Sequence, residues 1–212
     1  KRESRLGGAG NVVLNLASLG AQPMVFSVIG DDATGSSLKQ ILVDAGLSVA
    51  GIIQEAGRPT TVKERVIAGS QQLIRVDSET VAQISPASVG ALLAAITSAI
   101  SHVDVIIFED YDKGVLSNGL IQDVMDLAKV AGIPTVVDPK KKNFFAYQGA
   151  TLFKPNLHEL RDGLGLDSSD LSALALPATV KKFKESQRFE GLFVTLSERG
   201  VYMDFRGEQV AI

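Results

Sequence analysis

The sequence predicts an α/β protein with a mostly parallel sheet, helices on both faces and a small antiparallel flap. Three observations carry this. Short β-rich apolar runs alternate with stretches whose apolar residues recur every three or four positions. Glycine closes most of those stretches. One interval, residues 49–77, has no helical spacing at all.

In chain order, Gly7-Gly8-Ala9-Gly10 leads into a helix over residues 11–19, with Val12, Val13, Leu16 and Leu19 on one face and Gly20 as the stop. Residues 23–29 form a short strand ending at Gly30-Asp31-Asp32. Leu38, Ile41, Leu42 and Ala45 then mark a helix closed by Gly46. Within 49–77, two β-rich runs, 59–67 and 71–76, flank Ala68-Gly69-Ser70 as hairpin arms flank a turn. Alternation sets Thr61, Lys63 and Arg65 on one face of the first arm and Val62, Glu64 and Val66 on the other. These polar positions suit either solvated strand residues or ligand contacts. Ser85-Pro86 reads as N-cap and first residue of a helix carrying Val89, Leu92, Leu93, Ile96 and Ile100, with His102 at its end. A strand over 103–108, a helix over 117–131 stopped by Gly132 and Pro134, and strands over 135–137 and 150–153 follow. A short helix then starts near Asn156, a stretch over 168–186 is interrupted by Pro177, and a strand over 192–195 completes the series.

With 212 residues, 45% of them hydrophobic and 21% charged, the chain can bury a real core as one domain. A formal charge of -3 and the lack of a long basic stretch argue against nucleic acid or an anionic membrane as partner and favour a small ligand. The absence of cysteine excludes disulfides and thiolate metal sites and suits a reducing cytoplasm.

In open α/β sheets, ligands bind beyond the carboxyl ends of the strands. Here the strand over 103–108 runs into Glu109-Asp110-Tyr111-Asp112-Lys113-Gly114. Residues 135–137 run into Asp138-Pro139-Lys140, 150–153 into Lys154-Pro155-Asn156, and 192–194 into Thr195-Leu196-Ser197. This rim is the candidate site. Lys140, directly after a strand, is the functional lysine of its run, whereas Lys141, Lys142, Lys181 and Lys182 read as solvated charge. Asn156 and Glu159 share one face at a helix start. Glu159 can hold hydrated Mg2+ against phosphates, or the two can form a capping box. The opening glycines permit close approach to a sugar, a tight turn, or a dinucleotide site with Asp31 as the ribose acid.

On these residues the chain resembles the ribokinase/PfkB family of carbohydrate kinases over nearly its whole length. Gly7-Gly8-Ala9-Gly10-Asn11 through Leu19-Gly20-Ala21 is similar to the family's sugar-contacting signature, and Gly30-Asp31-Asp32 with Gly35 to the segment after it. Asn156-Leu157-His158-Glu159 resembles the Asn-x-x-Glu motif for magnesium and nucleotide phosphates, and Thr195-Leu196-Ser197-Glu198-Arg199-Gly200 the lining of the nucleotide pocket. Three stretches resemble the branch that phosphorylates heptose 7-phosphate: Arg58 through Ala68 with Gln71 through Asp77, Asp110 through Gly114, and Asp138-Pro139-Lys140.

The resemblance implies a ribokinase-like fold with the flap as a lid, and ATP and Mg2+ as cofactors. It implies sugar-phosphate contacts from Gly7, Gly8, Asn11, Lys63, Arg65, Gln72, Arg75, Asp110, Lys113, Asp138 and Lys140. Nucleotide contacts fall to Lys154, Asn156, Leu157, His158, Glu159, Thr195, Ser197 and Gly200, with Glu159 meeting the metal through water. It further implies a strand with a sugar-binding Asp before residue 1 and a Gly-Ala-Gly-Asp turn with the base past Ile212. No catalytic base is therefore assigned in this chain, and residues 1–212 alone are expected to be inactive. In many bacteria such a domain is fused to an adenylyltransferase. The flap's exposed edges suit pairing with a second copy. The competing readings are a kinase for another sugar or a nucleoside, a non-catalytic sensor, and an NAD-binding protein.

Overall fold

The structure is a computed structural model that describes residues 3–167, 171–172 and 174–212. It divides into two compact units, one running to Ser98 and including Lys113–Val115, the other made of Ala99–Asp112 and Leu116–Ile212.

The first unit holds helix α1 (Ala9–Ser18), strand β1 (Ser27–Gly30), helix α2 (Ala33–Asp44) and strand β2 (Ile52–Glu55). Strands β3 (Val62–Ala68) and β4 (Gln71–Ser78) and helix α3 (Pro86–Ala99) follow. β1 and β2 pair in parallel, and Val13, Ile29, Leu42, Leu47 and Ile52 from the surrounding elements make a small core. The sequence pattern gave all of 49–77 to the flap, whereas Ile52–Glu55 pairs with β1 and the antiparallel hairpin comprises β3 and β4 alone. A four-residue run without alternation carries too little signal to separate a buried strand from a loop.

Asp32 organises the start of α2. Its Oδ1 accepts from the Gly35 N–H (2.6 Å) and the Thr60 hydroxyl (2.8 Å), and its Oδ2 accepts from the Thr60 N–H (2.8 Å). The Gly30 N–H donates to Thr60 Oγ1 (2.9 Å). Gly30 is required here, since a Cβ would run into the Arg58 carbonyl.

The second unit is a sheet in the order β10-β9-β8-β7-β6-β5. Its strands are β5 (Ile106–Glu109), β6 (Thr135–Asp138), β7 (Leu152–Phe153), β8 (Gly191–Thr195), β9 (Val201–Phe205) and β10 (Glu208–Ala211). Its helices are α4 (Asn118–Ala131), α5 (Leu157–Leu164) and α6 (Leu176–Gln187). β5 to β8 are parallel, and β9 and β10 are antiparallel. Ser117 caps α4 as expected, accepting from the Leu120 N–H. Phe153 stacks on Phe189 at 4.6 Å, and Phe144 on Phe183 at 5.5 Å, within a core that also buries Val137, Leu160, Val180, Leu192 and Val194. Gly163 lies in the last turn of α5, where a Cβ would strike the Phe144 ring.

Two sequence expectations change in this unit. Pro177 does not interrupt a helix; it lies in the first turn of α6, where a missing N–H costs nothing. Ser168, Ser169, Asp170 and Ala173 of the expected stretch lie outside the described residues. The strand series also continues past Thr195 into β9 and β10, joined by Arg206-Gly207 with φ of 52° and 90°. Positive φ at both turn residues is the two-residue hairpin geometry, but Arg-Gly lacks the usual Asn or Asp signal. The buried Asp204, paired with Lys184, breaks the apolar pattern of β9.

Candidate active site

In the second unit, the parallel register brings the predicted rim residues together. Glu109 and Asp138 are direct neighbours at the ends of β5 and β6. Lys154 follows β7, its N–H bonded to the Val137 carbonyl (2.8 Å) and its Nζ 2.9 Å from Asp138. A parallel bridge sets Asn156 beside Thr195, and the Thr195 N–H donates to the Pro155 carbonyl (3.2 Å).

Asn156 and Glu159 form the complete capping box. Asn156 Oδ1 accepts from the Glu159 N–H (2.8 Å), and Glu159 Oε2 accepts from the Asn156 N–H (2.9 Å). The other carboxylate oxygen of Glu159 pairs with Lys140. Capping and a phosphate-facing carboxylate are compatible, because the box occupies one oxygen only. Leu157 is half-buried beside this pair, and His158 is exposed. The His158 ring engages its own helix, with Nε2 3.2 Å from Asp162 and Nδ1 2.6 Å from Arg161. Ser197, exposed at φ 56°, and Gly200, at φ 82°, shape the turn after β8.

Asp110 is turned inward, only 3% exposed. Its Oδ1 accepts from the Asp112 N–H (2.8 Å), and its Oδ2 from Asn143 Nδ2 (2.8 Å) and the Tyr147 hydroxyl (2.9 Å). Asn143 and Tyr147 were not singled out by sequence; each lies far along the chain, and neither belongs to a motif. Glu109 stands in the rim that the sequence marks, without an assigned role. Burial and the neighbouring Asp138 raise its carboxyl above the ordinary range, and the Tyr111 hydroxyl donates to it at 3.3 Å.

In the first unit, Gly8 caps α1 at φ 53° with no side chain, and Asn11 is exposed in its first turn. Gly7 has open space where a Cβ would stand. On the hairpin, Arg65 lies directly opposite Arg75 and Lys63 opposite Asp77, so these four share a face. The register shift after Val66 pairs Ile67 with Gln72 and turns Gln72 onto that same face, as a bulge does.

Lys63 lies 3.2 Å from Asp77 and 3.1 Å from Glu79, Arg75 holds Asp77 by two bonds of 2.8 and 2.6 Å, and Lys113 reaches Glu79 at 2.6 Å. Hydrogen bonding to Arg75, ahead of Lys63, holds the Asp77 carboxyl far below the usual range. Arg65 has no ion pair among the described residues. Lys113 is itself placed by Arg58, which donates to the Ala82 and Lys113 carbonyls and is nearly buried. Sequence reading missed Asp77 and Glu79 as the partners of these cations, since only the register brings them across the hairpin.

Residues 1–210 match the sequence pattern of the pfkB family carbohydrate kinases. The chain belongs to this family. It is 39% identical to the bifunctional protein HldE of Wolinella succinogenes over 202 residues, which is 95% of this chain and 42% of that protein. It is 41% identical to the HldE of Caulobacter vibrioides over 175 residues, 82% of this chain and 35% of that one. The chain thus spans less than half the length of these curated relatives. Among solved structures, it superposes on the tetrameric inhibited form of phosphofructokinase-2 from Escherichia coli with a TM-score of 0.78 at 17% identity, covering 100% of this chain and 72% of that one. The fold is therefore ribokinase-like, and the dinucleotide-binding alternative drops out.

Proposed function

We propose that the chain is the kinase part of an enzyme that transfers the γ-phosphoryl of ATP to the anomeric hydroxyl of D-glycero-β-D-manno-heptose 7-phosphate, on the way to a nucleotide-activated heptose. The observation that carries this is a hairpin face on which Lys63, Arg65 and Arg75, with nearby Lys113, share two carboxylates among the described residues, Asp77 and Glu79. A sugar that already bears a phosphate dianion needs such charge-assisted donors. The long stretches resembling the heptose branch and the HldE relatives support the same reading.

In the reaction, a bond forms between the sugar oxygen and the γ-phosphorus as the bond to the β,γ-bridging oxygen breaks. ADP leaves with that electron pair, and the hydroxyl proton passes to a base. Most of the catalysis is positioning and charge neutralisation. In this reading Lys154, Asn156, Leu157, His158, Thr195, Ser197 and Gly200 line the nucleotide, and Lys140 and Lys154 leave their carboxylates for phosphate oxygens. Glu159 would hold Mg2+ through water. The residues fit that role, because magnesium bound with phosphates takes few protein oxygens, and the Glu159 carboxylate stands at the start of α5 with one oxygen in the capping box and the other facing Lys140. When bound, the ion neutralises charge on the transferring phosphoryl group. Gly7, Gly8, Asn11, Gln72 and Asp138 contact the sugar, with Asp110 as organiser of its loop. The exposed edges of the hairpin, beside the exposed Val66, Ile74 and Val76, serve a second copy of the chain.

The test is ADP release by the full-length protein with heptose 7-phosphate and with unphosphorylated heptose. The phosphorylated sugar should be preferred. Arg65→Ala should raise its KM by about ten- to a hundred-fold, the worth of a hydrogen bond to a charged group, without changing the KM for the unphosphorylated sugar. Preference for the unphosphorylated sugar would remove the phosphate assignment.

A further inference from the structure

We infer that Asp112 is an additional sugar-recognition residue, its carboxylate accepting a hydrogen bond from a hydroxyl of the bound polyol; this rests on the carbohydrate-kinase reading above. Two separate costs meet at this residue. Its backbone stands at φ 53°, a left-handed conformation that costs any side chain something relative to glycine, although asparagine and aspartate adopt it more readily than the rest. Its Oδ1 is buried without a hydrogen-bond partner among the described residues, a condition that native proteins seldom tolerate. Glycine at this position would remove both costs.

Strain of this kind persists where the surroundings over-determine it. Here the Asp112 N–H donates to Asp110, and Asp110 is clamped from behind by Asn143 and Tyr147, which are 5% and 0% exposed. That scaffold fixes the backbone that carries the Asp112 carboxylate, one of whose oxygens is unsatisfied. The residue is half-buried rather than sealed.

The surroundings also select the ligand class. Burial and the charge of Asp110 push the Asp112 carboxyl up, while the Lys142 backbone and the Lys142 and Lys140 side chains pull it down. Two adjoining carboxylates repel an anion at this point, and no three-residue metal cluster exists among the described residues. A neutral O–H donor satisfies the free oxygen without a further charge, and a polyol supplies one.

Asp112→Gly and Asp112→Asn in the full-length protein test this. Melting temperature and steady-state kinetics are measured with whichever of heptose 7-phosphate, fructose 6-phosphate and ribose 5-phosphate the wild type uses best. Relief of the strain and of the unpaired oxygen should raise the melting temperature of the glycine variant by on the order of 2–4 °C. Its KM for the sugar should rise by about ten- to a hundred-fold while the KM for ATP stays constant. Asparagine, which tolerates left-handed φ and keeps an acceptor oxygen, should recover part of the sugar KM. A glycine variant with unchanged sugar KM overturns the inference, and so does a parallel rise in the KM for ATP. If the wild type phosphorylates none of the three sugars, the kinase reading fails and takes this inference with it.

Discussion

At the scale of single residues, Asp32 shows how one carboxylate ties a helix start to a distant strand approach. Hydrogen bonding from the Thr60 backbone, more than any other contact, lowers its pKa from the ordinary 3.8. A lowered carboxyl pKa contributes stability that is present above the unfolded value and lost as pH falls through the folded one. Asp32→Ala should therefore destabilise the fold by about 1–2 kcal/mol at neutral pH, the usual cost of a lost N-cap. The gap to wild type should narrow in urea melts taken progressively below pH 4. Glu109 carries the opposite sign: its raised pKa gives stability present at acid pH and lost as pH rises through the folded value.

At the scale of elements, the capping box at α5 and the hairpin β3–β4 carry the binding argument. Glu159→Gln keeps a side chain able to accept from the Asn156 N–H but removes the charge that faces Lys140, so the helix should survive. Magnesium-dependent turnover of the full-length protein should fall by about 10–100-fold, as when groups supporting a metal are lost. An unchanged magnesium titration would assign Glu159 to capping alone. Val66 and Ile74 are cross-strand partners on the exposed apolar face of the hairpin. Val66→Asp should convert a dimer to monomer in sedimentation velocity, and a wild type that is already monomeric would end that proposal. The long periodic helices and the buried strands β5, β6 and β8 were legible from spacing and glycine stops. β2, β9 and β10 were not, because four- and five-residue strands with buried charge or unusual turns carry little pattern. The gathering of Asp138, Lys154, Asn156 and Thr195 at neighbouring strand ends was legible, while Asn143, Tyr147, Asp77 and Glu79 became visible only through contacts that sequence distance hides.

At the scale of the whole molecule, two units with separate cores present two kinds of chemistry. The first offers a glycine-capped helix and a cationic hairpin face; the second offers a rim where three consecutive parallel strands deliver Asp138, Lys154 and Thr195 with Lys140, Asn156 and Glu159. No helix among the described residues is long and apolar enough to cross a membrane. The family and the ribokinase-like fold account for this division of polar groups, and the sugar is where the account is most exposed. The most direct measurement is phosphorus NMR of the product formed by the full-length protein from Mg-ATP and heptose 7-phosphate. The account predicts a new anomeric phosphate resonance beside the retained 7-phosphate, in step with ADP. ADP without that resonance, or a new phosphate at any other carbon, would contradict it.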